Sequence, residues 1–195
     1  VDGDPARARA GAAIALLLKG EPLTDYGQEL GMRGRPLKNA PVSDGIQIPM
    51  REAFRWKADL SAPGSAIWYQ GHQRWWTERF NRSHDGVSLE EEQARPDSLY
   101  HWYRKLLALR HARPELHAGA QRILCDDASS VLCILREDGS RRTLLMVNLG
   151  DTAARPVLDG SAIDTASWSD LLNGGAAQPL DRVLQPMEVR AIGTR

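Results

Sequence analysis

Gly20-Glu-Pro-Leu-Thr-Asp-Tyr-Gly-Gln-Glu-Leu-Gly-Met32 decides how this chain is read. A glycine and a proline close the preceding helix. Leu23 to Tyr26 then reads as one short buried strand. Gly27 and Gly31 space a loop that leaves the strand's carboxyl end, which in an α/β barrel is where active sites are assembled. Only one such strand can be found, so most of the barrel it implies is not in these 195 residues.

Upstream lies a helix. Asp4 is a good N-cap, Pro5 fits the first helical position, and the alanine-rich Ala6 to Leu18 favours helix. Lys19-Gly20 is expected to supply the positive last turn and the C-cap. Downstream, Gly27 to Arg95 shows no sustained periodicity, yet Phe54, Trp56, Trp68, Tyr69, Trp75, Trp76 and Phe80 give it too much apolar surface for disorder. A second helix is expected over Asp97 to Ala112, capped by Asp97 or Ser98. Leu99, Trp102, Tyr103, Leu106 and Leu107 form its apolar face. Arg110 and Arg113 follow at its carboxyl end, and Pro114 stops it.

After Leu116 short β-rich runs alternate with turns: Gln121 to Cys125, Val131 to Arg136, Thr143 to Leu149, Ala154 to Leu158, Ser167 to Leu172, Arg182 to Leu184 and Met187 to Ile192. This spacing predicts a small antiparallel β-sandwich. The fold class is α/β plus all-β: helix, strand, long loop and helix over 1–114, followed by the sandwich over 115–195; the family resemblance given below implies that 1–114 is the C-terminal portion of a (β/α)8 TIM barrel (helix 7, strand 8, long loop, helix 8). A lone parallel strand needs neighbours on its faces and edges, and a complete barrel needs roughly 250 residues. The remaining staves are expected from a preceding segment or another chain.

Composition narrows the function classes. Lys and Arg number 25, as do Asp and Glu, so no charge imbalance points to nucleic acid or an anionic membrane. The longest nearly apolar run, Ala10 to Leu18, is too short to span a bilayer and lacks signal-peptide flanks. The chain starts at Val1, as a processed piece or a fragment would. Cys125 and Cys133 are the 2 cysteines. Two buried thiols are the preferred reading, and a disulfide across a hairpin turning near Ser129 is the alternative. The five histidines show no metal-ligand spacing.

Four motifs in order carry a resemblance. Gly20-x-Pro22-x-x-x-Tyr26-Gly27-x-Glu29-x-Gly31-Met32 resembles the eighth-strand motif of the α-amylase family, glycoside hydrolase family 13. Ile48-Pro-Met-Arg-Glu-Ala-Phe-Arg-Trp56 is similar to that family's Arg-Glu-Pro-Phe-x-Trp or Arg-x-Pro-Met-x-Trp loop, with Ala53 in place of proline. Val87 to Gln93 with Asp97 to Leu116 resembles its eighth helix and entry, and Leu144 to Leu149 a central strand of its C-terminal sandwich. The resemblance implies retaining cleavage of α-glucosidic bonds in starch-like glucans or malto-oligosaccharides. That chemistry needs two carboxyl groups about 5 Å apart. They would lie upstream, so no residue here is expected to be catalytic and the chain alone should be inert. It implies no cofactor; calcium is compatible with the family, but nothing in this segment indicates it. Export to the periplasm or the outside suits such an enzyme better than the cytoplasm, although the compartment is not settled.

Four residues are expected to bind substrate. Arg51 has a permanent charge that forks onto a carboxylate or sugar hydroxyls, and Trp56 has a flat face suited to a sugar. Asp25 and Tyr26 lie at the strand's end. Asp25 and Glu29 as a catalytic pair is the weaker reading; Glu29 is expected to order its loop by accepting backbone N–H groups. Trp68, Tyr69, Trp75, Trp76 and Phe80 read either as a glucan-binding surface or as a satellite core. Glu90-Glu91-Glu92 reads as a solvated turn. An α-glucosidase, a glucanotransferase and a trehalose-forming isomerase are the alternatives within the family. Outside it the alternatives are a carbohydrate-binding module and one half of a nicked barrel.

Overall fold

A computed structural model describes residues 3–34, 52–67, 70–71, 79–125, 129–158 and 163–194. Two compact units result. One joins the N-terminal residues through Leu23 to Tyr103–Arg195; the other is Thr24–Trp102.

In the first unit, α1 spans Pro5–Leu17, and the Asp4 carboxylate accepts from the amides of Ala6 and Arg7. The helix stops short of the glycine cap expected from the sequence. Leu18 is extended and is itself the C-cap, which leaves Gly20 two residues beyond it. Side chains replace the glycine as the cap. The Arg110 guanidinium donates to the carbonyls of Leu16, Leu18 and Gly20 at 2.8, 3.0 and 2.6 Å, and Arg136 donates to Leu17 at 3.0 Å. Two cations thus satisfy the orphan carbonyls and the negative end of the helix.

The rest of this unit is a five-stranded antiparallel sheet: β1 (Ala120–Ile123), β2 (Val131–Asp138), β3 (Arg141–Asn148), β4 (Ser169–Asp170) and β5 (Val189–Gly193), in the order β1-β2-β3-β5-β4. β2 and β3 form a tight hairpin, from Asp138↔Arg141 to Val131↔Asn148. Alternation sends Val131, Cys133, Leu135, Leu144, Met146 and Ile192 to one face, where Leu124, Trp168 and Leu184 complete a core. The opposite face carries Ile134, Arg136, Leu145 and Ala191, also buried. Burial on both faces explains why β3 shows no polar alternation.

The runs expected at Ala154 to Leu158 and Arg182 to Leu184 shrink to isolated bridges, Cys125↔Leu158 and Ala154↔Leu184. Pro156 and Pro186 remove backbone donors at those points. Ser167 to Leu172 shortens because the Asp170 carboxylate accepts from the amides of Leu172 and Asn173 and turns the chain. These bridged pieces, with Trp168 and Leu184 in the core, supply the second layer of a small sandwich. Cys125 and Cys133 are joined as a disulfide with a Cα–Cα distance of 5.2 Å. The free-thiol reading is thus corrected: Leu124 donates to the Cys133 carbonyl, so pairing across the hairpin brings the two side chains together.

The decisive stretch spans the boundary between the two units in sequence, which falls between Leu23 and Thr24. Leu23 to Tyr26 joins no ladder, and Leu23 is 92% exposed. Among the described residues no adjacent parallel strand is present for it to pair with, which is the physical reason the expected strand is not formed. A 3-10 turn, Gln28–Leu30, sits between Gly27 and Gly31, both left-handed. Glu90-Glu91-Glu92 is no solvated turn. It opens α2 (Leu89–Ala94), where Ser88 and Glu91 form a reciprocal capping box. Glu92 is buried, pairs with Arg95 and accepts from the Tyr100 amide at 2.9 Å.

α3 runs over Leu99–Ala112, across the boundary between the units in sequence. Ser98 is its cap, accepting from the His101 amide at 3.3 Å. On its expected apolar face Tyr103 and Leu106 are buried, but Leu107 is exposed. Arg110 lies in the last turn of α3 as expected, and its side chain is buried at the end of α1.

Candidate functional site

Where the loop leaves Tyr26, the second unit holds a cleft of about 290 Å³, lined among others by Asp25, Tyr26, Met32, Arg33 and Glu52. The loop's local order comes from its glycines. Gly27 has φ +81°, and a Cβ there would meet Met32 Sδ at 2.4 Å, so both conformation and close approach require glycine. The Gly27 carbonyl accepts from Leu30 and Met32, which folds the loop back beneath the cleft.

Asp25 is exposed, and its carboxylate accepts from the Tyr26 amide at 3.0 Å. Tyr26 is 51% exposed, and its hydroxyl donates to the Glu52 carbonyl at 3.0 Å. The Glu52 side chain is buried. One of its oxygens accepts from the Phe80 amide; the other accepts from the Asn81 amide at 3.2 Å and from Asn81 Nδ2 at 2.9 Å. The Arg33 guanidinium lies 4.3 Å from the centroid of the Phe80 ring, a cation–π contact.

Behind Glu52 the chain is held by buried charge. Arg55 donates to the carbonyls of Ala58 and Arg82 and lies 3.7 Å from Asp85. Burial pushes the Glu91 carboxyl up, but hydrogen bonds from Ser88 and Gly86 and the Arg55 charge bring it below its ordinary value. Glu90 is also lowered, by the Ala58 amide and then by Lys57.

The structure brings Asp25 and Tyr26 to one cleft. Trp56 is not among that cleft's described lining; it is 50% exposed, with its ring centroid 4.5 Å from that of Phe54. Arg51 lies outside the described residues, as do Trp68, Tyr69, Trp75 and Trp76. Glu29 lies half-buried in the 3-10 turn, and its Oε2 is buried without a hydrogen-bond partner. Glu52 and Arg33 were not singled out from the sequence. Glu52 stood inside the motif beside Arg51; Asn81, 29 residues away, stood among the polar residues interleaved with the aromatic cluster, but nothing local tied it to Glu52.

Chemically, the cleft offers an open carboxylate, a phenol, an amide and a guanidinium, a mixture suited to a polyhydroxylated ligand. Among the described residues it does not offer two free carboxyl groups, because both Glu52 oxygens already accept N–H bonds. Among the described residues no His, Cys, Asp and Glu grouping could hold a metal ion. Among them, too, no helix is long and apolar enough to cross a membrane.

No family model matches the chain. It is 25% identical over 201 residues to a glucan 1,6-alpha-glucosidase of Streptococcus pneumoniae serotype 4, covering 89% of this chain and 37% of that protein. It is 30% identical over 138 residues to alpha-amylase 3 of Dictyoglomus thermophilum, covering 70% and 24%. Among solved structures, a trehalulose synthase, MutB, superposes with a TM-score of 0.74 at 23% identity, covering 97% of this chain and 38% of that one. The chain spans little more than a third of the length of the first of these relatives, and less of the second.

Proposed function

The chain belongs to the α-amylase family, glycoside hydrolase family 13, and from that membership we propose that it is the C-terminal part of an enzyme cleaving α-glucosidic bonds in starch-like glucans or malto-oligosaccharides. Cleavage proceeds with retention, through two carboxyl groups upstream of Val1. Residues 1–114 complete the catalytic barrel, and residues 115–195 form the sandwich. The sandwich is built on the antiparallel sheet, and Leu23 to Tyr26, unpaired in this chain, becomes the last stave once the upstream strands lie beside it.

One observation carries this reading. The cleft at the end of Leu23 to Tyr26 presents groups that bind sugar hydroxyls but, among the described residues, no free carboxylate pair. Asp25 and Tyr26 contact sugar there, and Arg51 and Trp56 contribute from the adjoining loop. The Cys125–Cys133 bond supports an oxidising compartment, outside the cytoplasm, where disulfides persist.

The test is incubation of the full-length protein with maltotriose and with isomaltose, following products by NMR. Glucose or maltose released first as the α-anomer is expected. A rearranged disaccharide as main product identifies an isomerase of the same family, and β-anomer release refutes the retaining mechanism. The isolated chain should release nothing.

A further inference from the structure

We infer that Glu52 is a positioning residue that holds the sugar-contacting wall of the cleft in shape; this rests on the reading of that cleft as a sugar site. Two stretches distant in sequence meet on this one residue. Its carbonyl takes the Tyr26 hydroxyl at 3.0 Å. Its carboxylate takes the amides of Phe80 and Asn81 and the Asn81 side chain. Asn81 Nδ2 also donates to the Arg33 carbonyl at 3.2 Å, so the tie returns to the loop that began at Gly27. Phe80, fixed through its amide, carries the Arg33 guanidinium on its ring. Glu52 and Asn81 are both buried, whereas Tyr26 and Arg33, the groups they place, are exposed and face the cleft.

This arrangement divides labour. A carboxylate whose two oxygens accept three N–H bonds has no free position for taking a proton from a substrate. It can instead fix the entropy-rich side chains that a ligand would otherwise have to order on binding, which is the physical content of preorganisation. Glutamine is a poor substitute, because its NH2 group would face an amide donor and leave it unpaired. Alanine would release all three donors.

The inference separates from a purely structural staple by where the damage appears. In the full-length protein, Glu52→Gln is expected to raise KM for malto-oligosaccharides about tenfold, with kcat within about threefold of wild type. The pH–rate profile of kcat should keep both limbs. Glu52→Ala should raise KM further, so that glutamine acts as a partial rescue. Tyr26→Phe, which removes one strand of the tie and leaves Glu52 in place, should raise KM by a few-fold and keeps the test open if the alanine variant does not fold. Hydrogen exchange at the Phe80 and Asn81 amides should quicken in Glu52→Gln. An unmoved KM, or a kcat collapse with a displaced pH limb, overturns the inference. So does unchanged exchange at those two amides. A wild-type protein inactive on every α-glucoside would instead sink the sugar reading itself.

Discussion

At the scale of single residues, two side chains separate apparent from actual roles. Asp25 has the exposure and position of a catalytic acid, but its carboxylate is engaged by its neighbour's amide and no second free carboxyl lines the cleft among the described residues. Asp25→Asn in the full-length protein should therefore keep measurable turnover, with kcat/KM down about tenfold or less, as expected for loss of one substrate contact. Complete loss in a steady-state assay would assign it a chemical role. Arg110 is the opposite case, an ordinary end-of-helix arginine by sequence that is buried and tied to three carbonyls. Arg110→Ala should destabilise the protein by about 3 kcal/mol, because it strands buried acceptors and uncaps α1. A urea midpoint shift at unchanged slope measures it.

At the scale of elements, helices and strands with strong local signals were legible, and their ends were not. Asp4 with Pro5 announced α1, and the apolar β2 and β3 runs gave the central hairpin. The end of α1 was misplaced because its carbonyls are satisfied by Arg110 and Arg136, about 90 and 119 residues away, which no local pattern reveals. α2 was missed because six residues are too few to show a period, although Ser88 and Glu91 stood at capping-box spacing. The cleft was half legible: Asp25 and Tyr26 came from the motif and Phe80 from the aromatic cluster, but the tie of Phe80 and Asn81 to Glu52 is made only by tertiary contact. The hairpin disulfide is testable on its own. Closing a loop of about eight residues should contribute roughly 2.5 kcal/mol, so Cys125→Ser with Cys133→Ser should lower stability by about that amount in denaturant melts.

At the scale of the molecule, charge and exposure make two further predictions. Glu115 is fully buried between Arg113 and Thr143. Burial raises its carboxyl, but the Thr143 hydroxyl and Arg113 outweigh that and hold it below its ordinary 4.5. Asp170 is likewise lowered below 3.8: burial raises it, and the Asn173 and Leu172 bonds and the Arg190 charge more than offset this. A carboxyl depressed on folding stabilises fully above its unfolded value and loses that contribution as pH falls through the folded one. The urea midpoint should thus be flat near neutrality and fall below about pH 4.5, less steeply in Glu115→Gln. Leu23, almost wholly exposed in this chain, should distinguish the part from the whole. Leu23→Ala should shift the chain's stability by less than about 0.5 kcal/mol but cost about 2–4 kcal/mol in a completed barrel, where it would be core.

The strand order has a consequence for the cell. β5, drawn from residues 189–193, lies between β3 and β4 and does not form an edge. A nonsense mutation anywhere before codon 189 leaves β3 with a bare flank and β4 with nothing to lie against, however much of the polypeptide has been made. Premature termination even a handful of codons upstream of β5 should behave as a null allele, its product sent to proteases or inclusion bodies.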